Sequence, residues 1–354
     1  MESATASARR PARRPAEVVS GFISKYGLVA LLLAMPIAFG ISDLHHDGNV
    51  ARLANNIKDG LSNGAIWALI AVGYTLVYGI IELINFAHGD VFMIGSFVSF
   101  SFFGTIGLTE STAPVALGLG LLLTLVVAMV ACGSLNTMIE RVAYRPLRGA
   151  PKLAPLITAV GFSFILQNVG LLWLGGSHHS VPDLIRSQKH LVTILGVNIE
   201  QGDVLAIAVT VPLVVLLVRF ITQSRIGKAM RATAQDPEAA RLMGINVDTT
   251  ISVTFLLGGM MAGAAGIIYA LYQTDVWFFS GFTAGLLAFT AAVMGGIGNL
   301  QGAVLGGFII GAIQQISDNR IGTEWTPAIV FAFLVLILVL RPQGLLGEQT
   351  REAG

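Results

Sequence analysis

The chain has 354 residues, 54% hydrophobic and 12% charged, with a mean hydropathy of +0.76. Water-soluble domains carry about a quarter of their residues as charged side chains, so this composition describes an integral membrane protein. A net charge of +1 gives no sign of a nucleic-acid partner, since the basic residues are gathered in loops and do not form a face. The single cysteine, Cys132, excludes a disulfide framework and a cysteine zinc site, and reads as a small packed residue.

Residues 1–24 are rich in Ala, Pro and Arg and lack a hydrophobic face, which predicts a disordered, basic cytoplasmic tail. The apolar run 27–41 follows Arg9, Arg10, Arg13 and Arg14 in the manner of a secretory signal, but the many spans downstream favour an uncleaved first helix. Further apolar helices are expected at 57–81, 91–106, 114–136, 154–174, 204–220, 250–271, 281–294, 302–316 and 327–340. A helix needs about 20 apolar residues to cross roughly 30 Å of hydrocarbon, and nothing here alternates as a membrane β-strand does. The expected fold is therefore all-α: a polytopic transmembrane bundle of about 8–10 spans over residues 25–341, with a cytoplasmic tail at 342–354. Runs 281–294 and 302–316 are short and glycine-interrupted, and fit a hairpin of incomplete spans equally well.

The basic residues set the orientation. With ten spans and both termini in the cytoplasm, 16 of the 21 Lys and Arg fall on the cytoplasmic side, and only Arg52, Lys58, Arg186, Lys189 and Arg320 fall outside it. Glycine pairs four apart, Gly259 and Gly263, Gly302 and Gly306, Gly307 and Gly311, indicate close helix packing. The long outer loop 175–202 is expected to cover the mouth of the bundle or meet an external partner.

Several chemistries are missing. No phosphate-binding loop occurs, since Gly227 and Lys228 are followed by Ala229, so any nucleotide that drives this protein is hydrolysed by another chain. The adjacent pairs His45, His46 and His178, His179 lack ligand spacing, so no metal site is expected. No nucleophile, base and orienter set suggests an enzyme, so no catalytic residue is assigned and no cofactor is expected in this chain. Asn85, His88, Gln167 and Asn168 are candidates for lining a substrate path, the alternative being interhelical hydrogen bonds. Glu82 and Asp90 read as residues at a water interface, the alternative being a buried role.

Residues 225–248 are the one long polar, helix-forming segment between two membrane-length runs. Its sequence predicts two short helices, 227–233 and 237–243. Asp236 suits the N-cap, Pro237 the first helical position, Glu238 the positive helix end, and Gly244 the stop. Within it, EAARLMG at 238–244 is similar to the loop by which permease subunits of ABC importers contact their ATPase subunits. NGAIWALIAVGYTLVYGIIELINFAHGDVFMIGSF at 63–97 resembles the signature region of the branched-chain amino acid permeases of the Liv type, H-type subunit. LITAVGFSFILQNVG, GKAMRATAQDPEAARLMGIN and AAVMGGIGNLQGAVLGG resemble the same family in the same order, from about residue 55 to 340.

The resemblance implies an ABC importer permease fold in a bacterial inner membrane. It makes the chain one of two membrane subunits carrying Leu, Ile and Val, beside an M-type partner permease, with the bundle surrounded by lipid. Two ATP-binding subunits would grip the coupling loop 222–248 through Gly227, Asp236, Glu238, Ala239, Ala240 and Gly244. An extracytoplasmic binding protein would deliver substrate. Relatives that carry urea or other amides keep that cargo as an alternative. An ion-coupled transporter, with Glu82, His88 and Asp90 as the relay, is another.

Overall fold

The computed structural model describes residues 15–46, 48–151, 153–194 and 196–347. Twelve α-helices follow one another among them: α1 (Pro15–His46), α2 (Ala51–Ile81), α3 (His88–Thr105), α4 (Pro114–Ile139), α5 (Leu153–Leu174), α6 (Gln201–Gln223), α7 (Arg225–Gln235), α8 (Pro237–Leu242), α9 (Val247–Gln273), α10 (Ser280–Gly295), α11 (Leu300–Arg320) and α12 (Thr326–Leu340). Each of the ten expected apolar runs lies in one of these helices. Among the described residues six helices are long and apolar enough to cross a membrane: α2, α4 with its extension through Leu147, α5, α6, α9 and α11, while α10 and α12 are shorter apolar helices. The protein is thus a multi-pass helical membrane bundle.

Three boundaries differ from expectation. Helix α1 opens at Pro15, inside the stretch expected as tail, because proline suits a first helical turn and the next residues are helix-compatible; residues 1–14 and 348–354 lie outside the described residues. Helices α10 and α11 are not a hairpin of two incomplete spans. Helix α11 is a full 21-residue span, because its glycines are packing surfaces and not breaks, and only α10 is short. The outer loop adds a little sheet: β2 (His190–Ile194) pairs antiparallel with β3 (Val197–Glu200), and β1 (His179–Ser180) with β4 (Asp275–Val276).

Two ends of the bundle are defined by contacts. At the hairpin end lie the β2–β3 ribbon, the start of α2 and the ends of α1, α9 and α11. There Asp43 takes two hydrogen bonds from Arg320, both 2.7 Å, and Asp203 pairs with Lys58 at 2.7 Å. Amides join α2 to its neighbours: Asn63 donates to Gln315 at 3.0 Å, Gln273 to Asn63 at 2.9 Å, and Asn319 to Asn56 at 3.0 Å. The opposite end carries α7, α8 and the start of α9. Lys58 and Arg320, two of the five basic residues that the charge count set apart, sit at the hairpin end.

Glycine brings the helices into backbone contact. A Cβ on Gly307 or Gly311 would strike the α2 backbone at Ala68 and Gly64, and one on Gly302 or Gly306 would strike α10 at Gly295 and Ala291. Gly259 and Gly263 lie in the same way on Cys132 and Ala128 of α4. Apolar burial offers little drive between helices in lipid, so close backbone packing is what binds them.

Gly311→Leu is expected to lower stability by about 3 kcal/mol, the upper part of the usual cost of overpacking, because backbone and not a flexible side chain would have to move. Gly104→Leu, at a position with nothing within 4 Å, is expected to be neutral. Thermal unfolding of the two variants in detergent checks the difference.

Candidate functional site

The polar segment 225–248 folds as two capped helices. Ser224 Oγ accepts from Gly227 N at 2.9 Å and starts α7. Gly227 has no room for a side chain, since a Cβ there would collide with the Ile221 backbone. Met230 and Thr233 follow at helical spacing and are buried, and α7 thereby packs against α6, α9 and α2. Arg231 donates to the Ile221 carbonyl, closing the joint between α6 and α7.

Asp236 Oδ1 then accepts from Glu238 N and Ala239 N, both at 2.9 Å, and Pro237 begins α8. Ala240 is buried, while Glu238 and Ala239 are exposed. Gly244 adopts φ +83°, a left-handed conformation that glycine takes without strain. It returns the chain to α9, with Ile245 N bonded to Ala240 O at 3.0 Å. The turn leaves Leu242 89% and Met243 83% exposed. Sequence reasoning assigned the coupling contact to Gly227, Asp236, Glu238, Ala239, Ala240 and Gly244 and did not single out these two exposed apolar side chains. Their position just before the stopping glycine was the available signal.

An ion network ties the neighbouring loop to the same end. Arg148 bridges Glu140, fully buried at the end of α4, and Asp248, at the start of α9. Arg145 also reaches Asp248 at 2.7 Å, and Ser252 donates to Glu140 at 2.7 Å. A cavity of 610 Å³ between α4 and α9, lined by Arg141, Arg145 and Asp248 among others, opens beside the network.

The INFAHGD stretch forms an interior break. Helix α2 ends at Ile81, Glu82 caps it with φ 51° at an exposed position, and the chain doubles back. Asn85 is held by Asn136 at 3.2 Å and by the Tyr144 hydroxyl at 3.2 Å, and Asn136 donates to Phe255 O at 2.7 Å. The break is thus satisfied by protein, as lipid depth requires. Helix α3 then starts against Gly73, eight residues short of the end of α2, a depth of about 12 Å at 1.5 Å per residue.

Helix α10 starts at the same depth. The first turns of α3 and α10 meet backbone to backbone: a Cβ on Gly89 would strike Gly281 and Gly285. Beside this crossing is a cavity of 280 Å³ lined by Ser163 and Gln167 of α5 and by Gly281, Phe282, Gly285 and Phe289 of α10.

The four path candidates therefore separate. Gln167 lines the cavity and donates to Ser163 Oγ at 3.1 Å. Asn85 belongs to the interhelical network. His88 is wholly buried, edge-on to Tyr74 with ring centroids 4.7 Å apart. Asn168 points away from the cavity on an exposed face of α5 and donates to Phe164 O at 2.8 Å. The expectation for Asp90 is corrected. It is 1% exposed and not at a water interface, because α3 begins inside the bundle; its Oδ2 accepts from Ser163 at 2.5 Å. Among the described residues no cluster of His, Cys, Asp or Glu is placed to hold a metal ion.

The family model described as "Branched-chain amino acid transport system / permease component" matches residues 56–340. The chain belongs to this family. The permease protein LivH of a high-affinity branched-chain amino acid transport system in Salmonella typhimurium is 40% identical over 295 residues, 82% of this chain and 94% of that protein. LivH of Escherichia coli K12 is likewise 40% identical over 296 residues, with the same coverage. BraD of Pseudomonas aeruginosa is 38% identical over 294 residues, 82% of this chain and 95% of that protein. In this permease the family match spans α3, α5, the capped loop and α10 together.

Arg148→Ala is expected to destabilise the permease by about 3 kcal/mol, the low end of the cost of leaving a buried carboxylate without its partner. Adding Glu140→Gln in the same chain is expected to recover most of that loss. Paired thermal unfolding of the single and double variants measures the coupling.

Proposed function

We propose that this permease is one of two membrane-spanning subunits of an ATP-driven importer of leucine, isoleucine and valine. One observation carries the mechanism: α8, rigidly capped and joined to the full-length helices α6 and α9, projects Leu242 and Met243 from a chain that has no nucleotide-binding loop. An apolar tip on a pre-organised helix suits a cleft on an ATPase subunit. Two such subunits close on ATP and push α8, and because Arg231 locks the α6–α7 joint while Gly244 fixes the return to α9, the push moves both spans as a body. Rigid-body displacement of this kind is how packed helices transmit force.

Both termini and α8 then lie in the cytoplasm, with the β2–β3 ribbon facing an extracytoplasmic binding protein that delivers the amino acid. The α5–α10 cavity faces a second, M-type permease, and the two halves enclose the path with Gln167 on its wall. The ATP is bound by the partner subunits, and this chain contributes shape and hydrogen bonds. An ion-coupled mechanism is less well supported: Glu82 is exposed while His88 and Asp90 are buried.

Leu242→Asp, Met243→Asp and Gly244→Val are each expected to cut uptake of leucine at least tenfold and to reduce co-purification of the ATPase subunits, with the permease still inserted. Uptake in right-side-out vesicles is expected to stop on ATP depletion and to persist with an uncoupler. Wild-type uptake and wild-type co-purification in all three variants would rule out the coupling role, and uptake that collapses with the uncoupler alone would favour ion coupling.

A further inference from the structure

Four carboxylates are buried among the described residues: Asp43, Asp90, Glu140 and Asp203. Three of them face a cation, Arg320, Arg148 and Lys58 respectively. Asp90 has a hydroxyl instead. Its Oδ2 accepts from Ser163, and its Oδ1 has no hydrogen-bond partner. That free oxygen lies 2.8 Å from where a Cβ on Gly281 would sit, and Gly281 is part of the wall of the 280 Å³ cavity. A second buried polar atom without a partner, Ser280 Oγ, stands at the start of α10, whose N-cap residue Phe279 supplies no side-chain acceptor.

Leaving polar atoms unpaired inside a bundle is costly, and such groups at membrane depth mark places where something polar arrives. The geometry points to a zwitterion subsite: an aliphatic α-amino acid enters the α5–α10 cavity, sets its ammonium group on Asp90 Oδ1 and its carboxylate at the first turn of α10 beside Ser280. The inference rests on the import reading and gives it a place in the bundle.

Asp90 and Ser280 lie behind Gly281, and the lining of the cavity itself has the matching chemistry. Val160, Phe164, Leu286 and Phe289 offer an apolar wall for a branched side chain. A lone cation would meet the positive ends of both α3 and α10, whereas a zwitterion gives those helix ends its carboxylate. A neutral amide such as urea would leave Asp90 without a counter-charge. Gly89, Gly281 and Gly285 are required here because any side chain would separate the two first turns and close the space beside them.

The test uses the whole complex, this chain with its partner permease, ATPase subunits and binding protein, in proteoliposomes. Asp90→Asn is expected to lower ATP-dependent leucine uptake at least tenfold in complexes that co-purify intact, and Asp90→Glu to restore part of it. In the detergent-solubilised complex without binding protein, leucine is expected to raise the melting temperature of the wild type and 3-methylbutylamine, a lone cation, to raise it less, and Asp90→Asn is expected to abolish the effect of leucine. Wild-type uptake by an intact Asp90→Asn complex overturns the subsite and leaves the import reading standing. No ATP-dependent uptake of any branched-chain amino acid by the wild type overturns the import reading, and the subsite with it. Should Asp90→Asn fail to assemble, Phe282→Trp decides: Phe282 is 46% exposed at the cavity rim, and the larger ring is expected to reduce leucine uptake more than alanine uptake. Unchanged leucine uptake in that variant overturns the proposal.

Discussion

Backbone contact between helices is the constraint on which the rest of this permease depends. In lipid the apolar faces gain little by meeting, so the helices must touch closely enough for dispersion and weak hydrogen bonds to hold them. Glycine makes this possible where α11 meets α2 and α10, where α9 meets α4, and where α10 meets α3. The last has a second consequence. Because Gly89, Gly281 and Gly285 let two helix starts cross inside the bundle, polar backbone and the Asp90 carboxyl are brought to a depth that lipid would never tolerate.

Charge is arranged around that crossing. At both ends of the bundle buried charges are paired, Asp43 with Arg320 and Asp203 with Lys58 on one side, Glu140 with Arg148 on the other. These pairs fix helix ends in place. The interior is different, with hydroxyl and amide groups around a small cavity, the Asp90 carboxyl behind Gly281 in its wall, and no cation among the described residues lining it. Rigid ends around a polar, incompletely satisfied centre suit a machine that changes shape about its middle. The short helix α8 is held firmly, since its two flanking joints are fixed by hydrogen bonds and by the left-handed turn at Gly244.

Much of this was legible in the sequence, and the reasons are physical. Apolar length located all six candidate spans among the described residues, because a helix that crosses hydrocarbon must be apolar over most of its run. Capping chemistry located α8, since Asp236, Pro237 and Gly244 each suit one position of a short helix. The glycine pairs announced the seams. What stayed hidden depends on three-dimensional neighbours. Asp90 looked like an interface residue because its depth is set by where α3 starts, and that is fixed by contacts with Gly73 and Gly281 far away in the chain. Asn168 looked like a twin of Gln167, yet one residue is a turn of about 100° on a helix, which carries Asn168 to the exposed face. Leu242 and Met243 looked like ordinary apolar residues until the turn at Gly244 left them uncovered.

The central claim is that α6, α7, α8 and α9 move as one body when the ATPase subunits close. Spin labels at Arg241, Arg219 and Ile157, all exposed, allow the distances across and within that body to be measured by pulsed electron resonance in the assembled transporter, before and after trapping with ATP. The account predicts that the Arg241–Arg219 distance stays fixed while the Arg241–Ile157 distance shifts. A change in the first with no change in the second would show α8 swinging freely on its joints, and would contradict it.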